Sequence, residues 1–340
     1  SRWGNVPETP TAERIAMAEM NLVNAINDAL RLEMRQDPKV VLLGEDVGKL
    51  GGVFRVTDGL YKEFGGERVI DTPLSETGII GTAIGMALYG MRPVPEIQFA
   101  DFIYPAFDQI VNEAAKYRYR SGGEFCVPMV IRTPYGGGIK GGHYHSQSPE
   151  ALFIHTPGLK VVCPSNPYDA KGLLTRAIRD NDPVIFFEPK RVYRALRMEV
   201  PEESYEIPIG KASVVKTGRH LTCLAWGAML FEALAAAEEV AEEGLEVELI
   251  DLRTLWPLDL ETICQSVEKT GRLVVVHEAP RSCGFGAELV ALVNEHCFLH
   301  LEAPPRRVTG LDTPFPYTLE NEYLPLQHRI APAFRETARF

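Results

Sequence analysis

Two histidines stand one residue apart in "GGHYHSQSPEA", residues 141–151. An imidazole is neutral near pH 7 and easily protonated, so either His143 or His145 suits proton transfer. Ahead of them "GGGIKG" (136–141) has the spacing G-x-G-x-x-G and follows a strand-like run. A dinucleotide site needs those glycines to open a helix with an acidic residue about 20 positions on. Here His-Tyr-His-Ser-Gln-Ser-Pro follows, and Pro149 disfavours an immediate helix. The glycines fit better with a close backbone approach to a ligand or to another stretch of chain. On an extended strand His143 and His145 would share a face. A zinc pair is then conceivable, but no third His, Cys or carboxylate stands at recognisable spacing. The bland alternative is a pair of structural histidines. A loop at the carboxyl end of a parallel strand tips the balance towards catalysis, since active sites in open α/β sheets gather there.

A second candidate is Glu76 in "DTPLSETGIIGTAIG". At a helix start a carboxylate complements the dipole by about 0.3–1 kcal/mol. Set among Leu74, Ile79 and Ile80, it also suits proton exchange in a partly apolar site. Phe99, Phe102, Tyr104 and Phe107 crowd the following strand–helix junction. Such aromatics are mostly core, but one of them can stack on a flat heterocycle.

The elements that must position these residues alternate. A helical stripe over 20–35 leads into the strand "KVVLLGEDVG" and the short strand "RVIDTPLSE". "ETGIIGTAIGMALYG" predicts a helix in which Gly81 and Gly85, four apart, serve close packing. The strand "RPVPEIQFA", a helix from Tyr104 to Ser121 with Pro105 in its first turn, and the strand "PMVIRTPYGG" follow. Then come "LKVVCPSN", a helix at 168–180 and "PVIFFEP". The Pro- and Glu-rich stretch 197–210 is a linker. Beyond it strands alternate with helices at 228–243, 258–268, 285–297 and 325–338. The expectation is two α/β domains with mostly parallel sheets, over 19–196 and 211–340, after an N-terminal arm of 1–18.

Composition narrows the classes. With 45% hydrophobic and 24% charged residues the chain is of globular type. No apolar run approaches the roughly 20 residues of a membrane span, and the N-terminal stretch lacks a secretory apolar core. The six cysteines include no C-x-x-C, so neither a zinc nor a redox motif is suggested, and a chain this long needs no disulfide staples, which favours reduced cytoplasmic thiols. The net charge of −11 argues against nucleic acid. It is unevenly spread: residues 1–200 hold 23 basic and 24 acidic residues, and 201–340 hold 12 and 22.

Taken in order, "LGEDVGKLGGVF", "DTPLSETGIIGTAIGMALYGMRPVPEIQFADF", "GGHYHSQSPEA", "SNPYDAKGLL", "DPVIFFEPKRVYR" and "IDLRTLWPLDLETI" resemble the beta subunits of thiamine-diphosphate-dependent 2-oxo acid dehydrogenases. The resemblance runs from about residue 19 to the end, and "YHSQSPEA" is most similar to the branched-chain (2-oxoisovalerate) members. It implies a pyrimidine-binding domain followed by a transketolase-type C-terminal domain. It also implies thiamine diphosphate shared with an alpha subunit, which holds Mg²⁺ through a G-D-G…N motif absent from this chain. By position, Glu76 matches the glutamate that hydrogen-bonds the aminopyrimidine and so promotes loss of the thiazolium C2 proton. Leu74 and Gln98 match positions lining the pyrimidine pocket. Phe102 matches an aromatic over that ring, often a tyrosine, and lacks the hydroxyl. His145 matches the active-site histidine, which leaves His143 a supporting neighbour. A structural potassium ion is implied near Asp180 and Asp182.

The function so implied is oxidative decarboxylation of a 2-oxo acid with acyl transfer to a lipoyl group. The implied assembly has two alpha and two beta subunits and docks on the lipoyl and subunit-binding domains of an acyltransferase core. The expected setting is bacterial cytoplasm, or the mitochondrial matrix in a eukaryote. Pyruvate or acetoin as substrate is the nearest alternative. A non-catalytic docking subunit is a second, and the presence of Glu76 and His145 weighs against it.

Overall fold

The structure, a computed structural model, describes residues 16–340. Most of the arm expected over 1–18 therefore lies outside the described residues. Two α/β domains are present, each built around one sheet, although the strand Thr254–Trp256 from the second half of the chain joins the first sheet. No described helix is long and apolar enough to cross a membrane. All six cysteines are free thiols.

The first sheet has seven strands in the order Thr254–Trp256, Lys160–Val162, Val184–Pro189, Val130–Tyr135, Arg92–Glu96, Val40–Gly44, Val69–Asp71. All neighbours pair in parallel except the first, which runs antiparallel to Lys160–Val162. Strand alternation sorts the core into two layers. Leu42, Val130, Val162, Val184 and Phe186 join a cluster with the helices Leu22–Gln36 and Pro167–Arg179. Leu43, Ile131, Val161, Ile185 and Phe187 join another with the helix Glu76–Leu88. The helices start where caps were available. Asn21 accepts from the Asn24 amide at 2.9 Å, and Asn166 accepts from the Asp169 amide at 2.9 Å ahead of Pro167.

Pro93 and Pro95 occupy a central strand, where proline is normally excluded. They lie two apart, so both missing N–H groups fall on one side. The pairing with Val130–Tyr135 is reduced there to Glu96 opposite Arg132. A buried ion pair compensates. The Arg132 guanidinium donates to Glu96 at 2.8 Å and to Glu188 at 3.1 Å, and the Tyr193 hydroxyl donates to Glu188 at 2.6 Å. Removing one partner would strand a buried charge, at about 3–5 kcal/mol.

The second sheet has five strands in the order Arg306–Gly310, Leu273–Pro280, Leu221–Ala225, Val247–Asp251, Ser213–Lys216, parallel except for the last. Its flanking helices are Met229–Ala241, Leu260–Thr270, Phe285–Cys297 and Gln327–Ala338, each within two residues of the sequence expectation at either end.

Three expectations change. The helix foreseen from Tyr104 to Ser121 is broken into a 3-10 turn at Tyr104–Ala106, a π-helical stretch at Gln109–Ala114 and a short α-helix at Tyr117–Arg120. The segment 197–210 opens with the strand Met198–Pro201, paired antiparallel with Met17–Met20. A Cβ on Gly81 would meet only the Gln109 side chain, at 3.5 Å, and one on Gly85 nothing within 4 Å. No close approach within this chain requires those two glycines.

Candidate active site at the ends of four parallel strands

Four adjacent parallel strands end at one edge of the first sheet: Val130–Tyr135, Arg92–Glu96, Val40–Gly44 and Val69–Asp71. Just past those ends lie His145, Gln98, Asp46 and Glu76 respectively. This carboxyl-end crevice is where open α/β sheets bind ligands.

Glu76 is the first residue of its helix, behind the N-cap Ser75, and is half-buried. Beside it, partial burial raises the Glu45 carboxyl above its ordinary range, with the charges of Glu76 and Asp46 adding to the effect. Gln98 donates to Asp46 at 3.1 Å, and Asp46 holds a left-handed backbone at φ 58°. Such strain in a non-glycine residue clusters at functional sites. Leu74 is 78% exposed, an open apolar side chain at the rim.

The structure separates the two histidines. Gly142–Tyr144 forms a 3-10 turn, so the shared face expected of an extended strand does not form. His143 is exposed, lies against Tyr144 (ring centroids 4.1 Å apart), and lines a cavity of about 510 Å³ between the domains. His145 is half-buried and meets two phenylalanines edge-on: Phe99 at 4.6 Å and Phe102 at 5.3 Å. Phe102 and His145, distant in sequence, thus share one wall. Among the described residues no three His, Cys, Asp or Glu side chains gather to hold a metal.

The loop carrying His145 is gripped from both sides, and these grips had no sequence signal. Glu278 of the second domain accepts the Gly137 N–H at 2.7 Å, and Glu320 accepts the Lys140 N–H at 3.1 Å. A Cβ on Gly137 would stand 2.7 Å from the Phe315 ring, and one on Gly138 (φ +102°) 2.5 Å from Arg191 Cβ. The glycine run therefore serves close approach of another stretch of chain. Past the histidine, Asp101 accepts the N–H groups of Ser146 and Gln147, each at 3.0 Å. Glu150, the first residue of the short helix Glu150–Ile154 that follows the loop, is fully buried, with its own backbone N–H and the Tyr135 hydroxyl as polar neighbours. Burial pushes its carboxyl up to about 8, and the charge of Glu278 adds to the shift.

At the opposite end of the sheet, the Lys160 ammonium stands 2.7 Å from the Asp180 carboxylate and 3.4 Å from that of Asp182. Arg92 donates to the Asp180 carbonyl at 2.8 Å, and Arg118 pairs with Asp182 at 2.5 Å. The side chains of Asp180 and Asp182 are thus held by ion pairs with Lys160 and Arg118.

Comparison with known proteins agrees with this architecture. Residues 18–195 match the family "Transketolase, pyrimidine binding domain", and 210–330 match "Transketolase, C-terminal domain". A 2-oxoisovalerate dehydrogenase subunit beta from Pseudomonas aeruginosa is 52% identical over 97% of both chains. The mitochondrial subunit of the same name from Dictyostelium discoideum is 58% identical over 90% of this chain and 83% of its own. A pyruvate dehydrogenase E1 component subunit beta from Staphylococcus epidermidis is 52% identical over 95% of this chain and 100% of its own. A solved split-gene transketolase, described as an inactive beta4 tetramer, shares the fold with a TM-score of 0.77 at 23% identity, over 94% of this chain and 98% of its own. This chain belongs to the beta subunits of thiamine-diphosphate-dependent 2-oxo acid dehydrogenases, closely related to both the branched-chain and the pyruvate members.

Proposed function

We propose that the chain is the beta subunit of a branched-chain 2-oxo acid dehydrogenase acting on 2-oxoisovalerate-type substrates, with acyl transfer to a lipoyl group. The observation that carries the reading is the convergence of Glu76, Gln98, Phe102 and His145 beyond four adjacent strand ends, with Leu74 open at the rim. The branched-chain assignment rests on "YHSQSPEA" and on relatives such as those from Pseudomonas and Dictyostelium.

These residues fit the pyrimidine half of thiamine diphosphate. Phe102 offers an aromatic wall, Leu74 an apolar contact and Glu76 a carboxyl for a ring nitrogen. When bound, that cofactor supplies the carbon nucleophile for decarboxylation. Glu76 holds and moves the proton at the aminopyrimidine nitrogen. Phe102 orients the ring by stacking and contributes no hydrogen bond. His145 moves a proton during acyl transfer, and its two aromatic neighbours shield it from water. The diphosphate and Mg²⁺ fall to an alpha subunit, and the exposure of Leu74 supports a site completed by a second chain. Two alpha and two beta subunits form the working assembly, and the acidic second domain meets the subunit-binding module of the acyltransferase core.

The test is co-expression with a candidate alpha subunit, followed by decarboxylation assays on 2-oxoisovalerate and pyruvate. Preference for 2-oxoisovalerate is expected. Preference for pyruvate would move the chain to the pyruvate group.

A further inference from the structure

We infer that Asp101 is the positioning residue for His145. The inference rests on the proposed role of His145 in acyl transfer.

The segment 141–145 hangs between two sets of anchors. On its N-terminal side the second domain holds Gly137 and Lys140 through Glu278 and Glu320. On its C-terminal side one oxygen of Asp101 accepts two consecutive backbone N–H groups, those of Ser146 and Gln147. These are the two residues directly after His145. Both bonds are 3.0 Å long and charge-assisted, the stronger class of hydrogen bond. Asp101 itself is 7% exposed, so water competes little for them.

The anchor and the wall are one piece of chain. Asp101 precedes Phe102, and both sit in the 3-10 turn Ala100–Phe102. Phe102 and Phe99, at the ends of this turn, are the two rings that meet the imidazole. A shift of the His145 backbone against that wall is therefore blocked by Asp101. Behind the wall lies Lys190, 4% exposed, its ammonium 5.6 Å from the Phe99 ring centroid and without a hydrogen-bond partner. Burial pushes its ammonium down to about 8 despite the nearby charges of Asp101, Glu278 and Glu320, the three carboxylates that anchor the loop. The loop and its buried counter-charge thus form one unit, and within it Asp101 is the anchor nearest the histidine.

The experiment uses the assembled alpha–beta complex with Asp101→Ala, Asp101→Asn, His145→Ala and the double variant Asp101→Ala/His145→Ala. Reductive acylation of a lipoyl domain is compared with decarboxylation read by an artificial electron acceptor. A misplacement of about 1 Å costs on the order of 10²-fold. Asp101→Ala should therefore lower acylation about that much while decarboxylation falls by less than about threefold. Asp101→Asn keeps the accepting oxygen and should restore most of the acylation. The double variant should be no worse in acylation than His145→Ala, because one residue acts through the other. Hydrogen exchange on the cofactor-free complex gives a readout independent of turnover. The Ser146 and Gln147 amides should exchange faster in Asp101→Ala and remain protected in Asp101→Asn. Equal loss in both half-reactions, additive losses in the double variant, or unchanged exchange would overturn the inference. If His145→Ala itself fails to separate the half-reactions, the acyl-transfer role falls and takes this inference with it. If only Asp101→Ala fails to do so, that role stands and Asp101 is merely structural.

Discussion

Replacing Glu150 with Gln should stabilise the protein at alkaline pH and do little at acid pH. The Glu150 carboxyl is fully buried, and burial outweighs hydrogen bonds from its own N–H and the Tyr135 hydroxyl and lifts it from 4.5 to about 8. The folded state therefore binds this proton more tightly than the unfolded chain. Stability from this group is fully present below 4.5, declines as pH rises, and is lost above about 8. The slope is at most ~1.4 kcal/mol per pH unit and halves as pH reaches the folded value of about 8, which gives about 2.3 kcal/mol between pH 6 and pH 8. Water penetration raises the effective dielectric to about 20 and reduces this ceiling, so about 1–2 kcal/mol is expected. Chains of 150–250 residues shift Tm by about 2–4 °C per kcal/mol, and longer ones by less. Glutamine is close to the neutral carboxyl in shape and does not ionise over this range. The Tm advantage of Glu150→Gln should therefore widen by about 1–3 °C from pH 6 to pH 8. Thermal unfolding of the assembled complex at pH 6, 7 and 8 measures it. A gap that stays constant with pH, or a variant less stable than the parent at pH 8, would show that the carboxylate is ionised and usefully paired.

Glu76→Gln should leave assembly intact and slow hydrogen–deuterium exchange at the cofactor C2 by about 10²–10⁴-fold, a loss typical of a removed acid–base group; near-normal exchange would return Glu76 to a helix-start role. His145→Ala should impair lipoyl acylation more than decarboxylation, whereas the solvent-exposed His143 should tolerate Ala with a milder effect; equal severe losses in paired assays would contradict the separation of the two rings. Calorimetry on the isolated beta chain should show no micromolar binding of thiamine diphosphate, and tight binding there would argue against a shared site. Association with a basic subunit-binding module should slow as salt rises, since the Debye length is about 8 Å at physiological ionic strength. Reversing the exposed Glu238 or Glu242 should weaken it more than reversing Glu239 or Glu243, which already pair with Arg335; salt-independent association measured by surface plasmon resonance would leave the acidic domain without this partner.

Much of the scaffold was legible because its signals are local. Strand–helix alternation and the two α/β halves follow from neighbours in sequence. Glu76 and His145 stood out through motif resemblance, and the structure puts both at one sheet edge. The anchors of the His145 loop were not legible. Glu278 and Glu320 stand 141 and 180 residues from the amides they hold, and nothing local marks a carboxylate aimed at a distant backbone. The π-helical stretch at Gln109–Ala114 escaped notice because its residues fit an ordinary helix equally well. The strand Met198–Pro201 escaped notice because it owes its form to a partner at Met17–Met20, not to its own proline-rich surroundings.

The strand Thr254–Trp256 belongs by sequence to the second half of the chain, yet it closes the edge of the first sheet against Lys160–Val162. During synthesis that edge must wait for residues more than 90 positions further on. At about 5–20 residues per second the wait is on the order of 5–20 s. Throughout it, the nascent first domain presents an unpaired edge, a template for pairing with other chains. The first sheet is therefore completed only by a strand from the second half of the chain. A fragment ending before residue 254 should aggregate where the whole chain does not, and slower translation across 163–253 should lengthen its dependence on chaperones.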